Sequence, residues 1–283
     1  MASPRQAGWI VLAALVGVGV WSLAYRWLPR AELAETNFQA NLIRLQSWRL
    51  EAPPPNVIIG SSIAGRLLPG NFAGTPLASM ANLSLDGSGP ELGLRLVLAR
   101  SNPPPRVFIE FHRLGKPWNA NDDTLLAALR EPGFALAGAV PGLRADARPT
   151  TLLYAWLKRR QDPPPTPASH PATNAVVRSV AAGAFVRPEW FGHFAGQVAE
   201  LRQRGCEVIL IRMPVGRENP AAAEAANDAD ALAHDLGLRL VDLNREAIRR
   251  GLNLSYTDGL HLSSGSARQI CSLLAELAVA PAH

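Results

Sequence analysis

Cysteine is scarce in this chain, charge is sparse, and several familiar binding signatures are missing. Only two cysteines, Cys206 and Cys271, occur in 283 residues. That excludes a small disulfide framework and a multi-cysteine zinc or iron–sulfur site. The two either pair in an oxidising compartment or are buried free thiols. Charged residues make up 18% of the chain against 48% hydrophobic, too little charge for a disordered acidic or basic tail. The 28 basic and 23 acidic residues leave a net +5. No dense Lys/Arg stripe follows any helix, so the basic excess is a solubility property and no nucleic-acid partner is expected. None of the six histidines (His112, His170, His193, His234, His261 and His283) stands in an HxH or HxxxH pair, so no metal centre is expected. A Gly-rich phosphate loop and a dinucleotide fingerprint are also missing, and no cofactor is expected. The length and apolar content suit one large domain or two small ones.

One uncharged run stands at the N-terminus. Ala7–Tyr25 holds 19 residues without a charge; as a helix it reaches roughly 28 Å, close to a bilayer's hydrocarbon core. Trp9, Trp21, Tyr25 and Trp27 lie near its ends, where amphipathic rings favour the water–lipid boundary. Arg26 and Arg30 follow. The run is a single-pass anchor or a cleaved signal peptide, since Ser22-Leu23-Ala24 is a small-x-small cleavage pattern. A buried core helix is the third alternative. The first two place the rest of the chain outside the cytoplasm.

The expected domain plan is an anchor or signal segment at 1–29, a helical linker at 30–55 and one domain at 56–283. Within the linker, Glu32–Arg49 reads as a polar helix, and a triple proline after Ala52 breaks it. Short β-branched runs then alternate with amphipathic stretches. Strands are expected at Asn56–Gly60, Pro76–Leu85, Val107–Phe111, Cys206–Met213 and Arg239–Leu243. Helices are expected at Pro90–Arg100, Pro188–Arg204, Ala221–Leu236 and Ser264–Val279. Five strands alternating with helices imply an α/β fold with a parallel five-stranded sheet covered on both faces. From about 113 to 187 the rhythm is lost and a triple proline appears at Pro163–Pro165, the third after Pro53–Pro55 and Pro103–Pro105. This stretch is expected to be an irregular insertion over one edge of the sheet. Its Trp118, Tyr154, Trp156 and Lys158-Arg159-Arg160 either line a saccharide cleft or belong to a solvated helix face with a few packed aromatics.

Two short motifs carry chemistry. Gly60-Ser61-Ser62 closes the first strand and opens an expected helix, IAGRLL. Parallel sheets place ligands beyond the carboxyl ends of their strands, and a helix N-terminus there favours developing negative charge. A serine in this turn is either a nucleophile, if a base takes its proton, or a simple N-cap. The second motif, Asp258-Gly-Leu-His261, lies on the loop before the last helix. A carboxylate and an imidazole three residues apart can orient a general base. The alternative is a capping loop, with Asp258 making a turn and Ser263 or Ser264 capping the helix.

Together, a Gly-x-Ser turn after the first strand and Asp-x-x-His before the C-terminal helix resemble the SGNH (GDSL-like) hydrolase superfamily over about residues 56–279, the insertion excepted. The resemblance implies a three-layer, flavodoxin-like sheet, here behind the N-terminal transmembrane helix read from the uncharged run. It makes Ser62 the nucleophile, His261 the general base and Asp258 its partner. The stretch Asn82-Leu-Ser-Leu-Asp-Gly87 resembles the family's second block, so the amides of Gly87 and Ser62 are the implied oxyanion donors. The third block departs from the pattern. Where the family carries Gly-x-Asn-Asp, this strand ends Glu110-Phe-His112-Arg113-Leu114, leaving Asn119, Asn121 or Arg113 as substitutes.

The anchor, Gly-Ser-Ser in place of Gly-Asp-Ser, the strand Ile109-Glu-Phe-His112 and Ile211-Arg-Met-Pro214 look like envelope members of that superfamily. Those include the D-alanyl transfer proteins and the alginate and cellulose O-acetylation proteins. Such a resemblance implies a serine esterase or O-acyl (acetyl) transferase on the inner membrane with its domain in the periplasm, secreted if the N-terminal segment is cleaved. Its substrate would be an acylated saccharide or polysaccharide, and a membrane-bound O-acyltransferase its partner. The alternative is a degenerate fold that binds polysaccharide or scaffolds such a complex. His112 and Arg113 are candidate substrate or oxyanion groups. Arg212 either holds an anionic saccharide or forms a structural ion pair. Glu110 either orients one of these residues or pairs with Arg212. His193 reads as helix packing or, less simply, as part of a site.

Overall fold

The computed structural model describes residues 3–161, 189–216 and 229–279. The third triple proline, the insertion from 162 to 187 and the start of the helix expected at Ala221 lie outside the described residues. The chain divides into two compact units, Ala52–Asp122 with Asp162–His283, and Met1–Glu51 with Asp123–Gln161.

The first of these is an α/β unit. Its strands are β1 (Asn56–Ile59), β2 (Met80–Asn82), β3 (Arg106–Glu110), β4 (Glu207–Arg212) and β5 (Arg239–Asp242). They form one sheet in the order β2-β1-β3-β4-β5, and every pair is parallel. The apolar runs account for this: β1 is buried along its whole length, and β3 and β4 are buried but for their first residue, as strands covered on both faces must be. Successive side chains point to opposite faces. Ile58, Phe108, Ile209, Ile211 and Val241 share one core with α9 (Leu243–Arg249) and α10 (Ser264–Val279). In α10 the buried residues Ala267, Ile270, Cys271, Leu274, Ala275 and Ala278 recur at helical spacing. Removing Leu274, which is fully buried, down to alanine costs about 2–5 kcal/mol by its cavity. Toward the other face, α3 (Pro90–Leu98) packs on β1 and α7 (Phe191–Gln203) on β4. Residues 229–236 form a further helix, α8.

Two expected elements differ. The second strand is only three residues long, although Leu83 and Leu85 go on donating to the carbonyls of Ile58 and Gly60. The helix expected after Ser62 is two short 3-10 turns, Ala64–Arg66 and Pro69–Phe72. Pro69 is the reason: its ring pushes the preceding residue out of the helical region, and Leu68 sits at ψ 141°.

The second unit is helical. It contains α1 (Pro4–Tyr25), α2 (Asn37–Leu50), α5 (Pro132–Ala139), 3-10 turns at Pro141–Leu143 and Ala145–Ala147, and α6 (Pro149–Gln161); α4 (Ala120–Ala128) leads into it. The stretch read as irregular is therefore largely helical from Ala120 to Gln161. Its weak amphipathic periodicity hid this, because α5 is apolar nearly all round and α6 leaves several large apolar side chains exposed. Thr36 caps α2 by accepting from the Gln39 amide at 3.2 Å, and Gln46 Oε1 accepts from the Ala145 amide at 2.7 Å. Within α1, Arg5–Tyr25 is long and apolar enough to cross a membrane. Its last turns join the unit: Trp21 Nε1 donates to the Ala147 carbonyl at 3.1 Å, and the Tyr25 hydroxyl donates to the buried Asp146 carboxylate.

Candidate active site

The carboxyl end of β1 leads into Gly60-Ser61-Ser62. The bond from the Leu85 amide to the Gly60 carbonyl (3.0 Å) joins this turn to the one after β2. Ser62 and Gly87 each lie two residues beyond that bond, so the two turns stand side by side at one sheet edge. In the order 2-1-3-4-5 the connections reverse direction at β1 and β3, the place where doubly wound sheets open a crevice. Gly87 adopts φ +80°, a left-handed conformation that glycine accepts without Cβ strain.

Ser62 is half-buried, and its Oγ lies 2.9 Å from His261 Nε2 across 199 positions of sequence. His261 Nδ1 lies 2.6 Å from Asp258 Oδ2. The loop that carries both closes through an antiparallel bridge between Tyr256 and Leu262 and a bond from the Thr257 amide to the His261 carbonyl (2.8 Å). Asp258 Oδ1 accepts from the amides of His261 (2.8 Å) and Leu260 (3.1 Å). Partial burial pulls the Asp258 pKa up, but these bonds and the His261 ring outweigh it and hold the carboxyl at about 2. An ionised carboxylate only accepts, so Nδ1 carries the proton and Nε2 presents its lone pair to the Ser62 hydroxyl. That arrangement can take the serine proton and stabilise the imidazolium that results. Asp258 thus makes its turn and also orients the ring. Ser263 caps α10, accepting from the Ser266 amide at 3.3 Å.

Ser61 has a different task. Its amide and hydroxyl donate to Glu110 Oε2 at 2.7 and 2.9 Å, and the Ala64 amide reaches the same oxygen at 3.4 Å. Ser61 Oγ also accepts from the Ile63 amide at 3.3 Å, so it is Ser61 that caps the turn. Glu110 is fully buried. Burial raises its pKa, opposed by the bonds from Ser61 and Ala64 and by Arg113. Gly60 makes room for it: a Cβ there would stand 2.6 Å from both Glu110 Cβ and Oε2. Glu110 therefore braces the Gly60-Ser61-Ser62 turn. The pairing with Arg212 does not form, and the sequence signal that was available was a lone charge ending an apolar strand beside a glycine.

Other sequence candidates are placed as follows. Arg212 is buried and donates to Asp242 Oδ2 at 2.6 Å and to Asp230 Oδ2 at 3.4 Å, so the expected ion pairing is present. His112 is buried, and its Nδ1 stands 3.9 Å from Glu110 Oε1 without a hydrogen bond. Burial, then Arg212 and Arg113, lowers its pKa to about 4, so the ring is neutral. Arg113 is exposed. Asn121 Nδ2 donates to Ser88 Oγ (2.8 Å) and the Asp86 carbonyl (3.3 Å), and Asn119 Nδ2 to the Gly87 carbonyl (3.4 Å). These two asparagines hold the Gly87 turn. Lys116 Nζ also donates to the Gly87 carbonyl, a support not anticipated from sequence. His193 pairs with Glu91 at 2.9 Å, and Trp118 lies 4.4 Å beneath the Arg95 guanidinium. Cys206 and Cys271 are both buried and no disulfide joins them. No protein-family model matches the chain, and a search of curated proteins returns no match.

Proposed function

We propose that this chain is an extracytoplasmic, serine-dependent acyl-ester hydrolase or O-acyltransferase acting on a cell-envelope or exported polysaccharide. In this reading it has an SGNH hydrolase-like, flavodoxin-like domain. The observation that carries the reading is the continuous chain from Ser62 Oγ through His261 to the Asp258 carboxylate, at 2.9 and 2.6 Å. A protein that only scaffolds a complex has no need of that alignment.

In the proposed mechanism His261 Nε2 takes the Ser62 proton as Oγ attacks the acyl carbonyl. The amides of Ser62 and Gly87 receive the oxyanion. The tetrahedral intermediate then collapses, the C–O bond breaks, and His261 returns the proton to the departing alkoxide. Water or a sugar hydroxyl, deprotonated by His261, releases the acyl group from Ser62. The acceptor is set by how well the site excludes water.

The N-terminal helix supports an inner-membrane anchor with the domain in the periplasm. Cleavage after Ala24 would remove Trp21 and Ser22, which hydrogen-bond to Ala147 and Gly142. A retained helix keeps those contacts.

The test uses the full chain in detergent, with Ser62→Ala as control, incubated with p-nitrophenyl acetate and a fluorophosphonate. The expected result is an adduct on the peptide bearing Ser62, with label and turnover both lost in the variant. A folded protein that gives neither adduct nor turnover would remove Ser62 as a nucleophile and favour the polysaccharide-binding or scaffold role.

A further inference from the structure

The helical unit holds a second uncharged run, Pro132–Leu143, which covers α5 and the 3-10 turn after it. Arg130 and Glu131 precede it and Arg144 follows. Phe134 and Ala137 point into the unit, whereas Leu136 is 52% exposed and Leu143 38%. Gly133, Ala135 and Ala139 are exposed as well. A helix that stays apolar on its outer face needs a cover other than water.

What covers it follows from its register on α1. The Gly142 amide donates to Ser22 Oγ at 3.2 Å, and a Cβ on Gly142 would stand 2.5 Å from that oxygen and 2.9 Å from Trp21 Cδ1. The 3-10 turn is therefore locked against the last turns of α1. Ser22 lies three residues before the end of the uncharged run, about 4.5 Å along the helix axis. If Ala7–Tyr25 fills the hydrocarbon core, Ser22 stands at its boundary, and Gly142 stands at the same depth. An apolar helix joined to that point meets lipid first.

We propose that Pro132–Leu143 seats in the boundary layer of the bilayer that α1 crosses, as a second and interfacial contact. This rests on the reading of α1 as an anchor. Two contacts fix the emerging end of α1 and the helical unit at one depth, which a single flexible tether cannot do.

The test uses the full chain with Cys206→Ala and Cys271→Ala, carrying one added cysteine at a time: Val16→Cys, Leu136→Cys, Leu143→Cys or Arg249→Cys. Each is labelled with an environment-sensitive fluorophore and reconstituted in phosphatidylcholine–phosphatidylglycerol vesicles. Quenching by lipids with shallow or deep nitroxides is compared with quenching by aqueous iodide. Val16 should respond to the deep lipid nitroxide and Arg249 to iodide. Leu136 and Leu143 should respond to the shallow nitroxide more strongly than to either the deep nitroxide or iodide. Lipid quenching at Val16 with only iodide quenching at 136 and 143 overturns the inference, leaves the anchor standing and points to a protein cover. Iodide quenching at Val16 removes the anchor and the inference with it.

Discussion

Asp258→Asn isolates the tautomer argument. In the native loop Oδ1 accepts from two backbone amides and Oδ2 faces His261 Nδ1. An asparagine at 258 has a single acceptor oxygen, and two amide donors hold it on the backbone side. Its NH2 group then points at Nδ1, which must accept. The ring proton moves to Nε2, so the imidazole donates to Ser62 Oγ and can no longer take its proton. The analogous change in Ser-His-Asp hydrolases lowers kcat about 10⁴-fold with the geometry kept, a barrier increase of about 5 kcal/mol. We expect Asp258→Asn to lose about three to four orders of magnitude in p-nitrophenyl acetate turnover and in the rate of fluorophosphonate labelling. Its melting temperature should stay close to the parent's, since both backbone bonds survive. Asp258→Ala should lose activity as well and also melt lower, because the Leu260 and His261 amides lose their acceptor. An Asp258→Asn enzyme within about tenfold of the parent rate would refute the assigned tautomer.

Other outcomes follow from the same geometry. His112 titrates at about 4 in the fold against 6.5 unperturbed; the unfolded chain binds the proton first, so stability rises with pH between those values, by about 3 kcal/mol in all. Chemical denaturation at several pH values should show that slope, and His112→Asn should flatten it. Asp258, held at about 2 against 3.8, contributes stability that is present above pH 4 and is lost as pH falls through about 2. Gly60→Ala drives a methyl to 2.6 Å from Glu110 and should cost about 1–3 kcal/mol in urea unfolding, with a fall in labelling of Ser62. Arg212→Met leaves Asp242 in a 10% exposed site, but Arg245 still pairs with it and its capping bond remains. Destabilisation should therefore fall below the roughly 3–5 kcal/mol of a fully broken buried pair, and KM for ester substrates should not change.

Read from the chain alone, the apolar runs of β1, β3, β4 and β5 and the spacing within α3 and α10 locate the elements to within a residue or two. Local periodicity records which faces are buried, and those faces hardly depend on the rest of the fold. Ser62, Asp258 and His261 were likewise legible, because each sits in a short turn motif beside a recognisable element. Tertiary structure alone decided the rest. A 2.9 Å approach between positions 199 residues apart depends on strand order and loop closure, which no local pattern encodes. Ser61 is turned to Glu110, set beside Gly60 by the β1–β3 register, while Ser62 meets His261. Arg212 meets two carboxylates because β5 and α8 supply them. The helices of the insertion went unread because their outer apolar residues answer to partners outside their own sequence, the end of α1 among them.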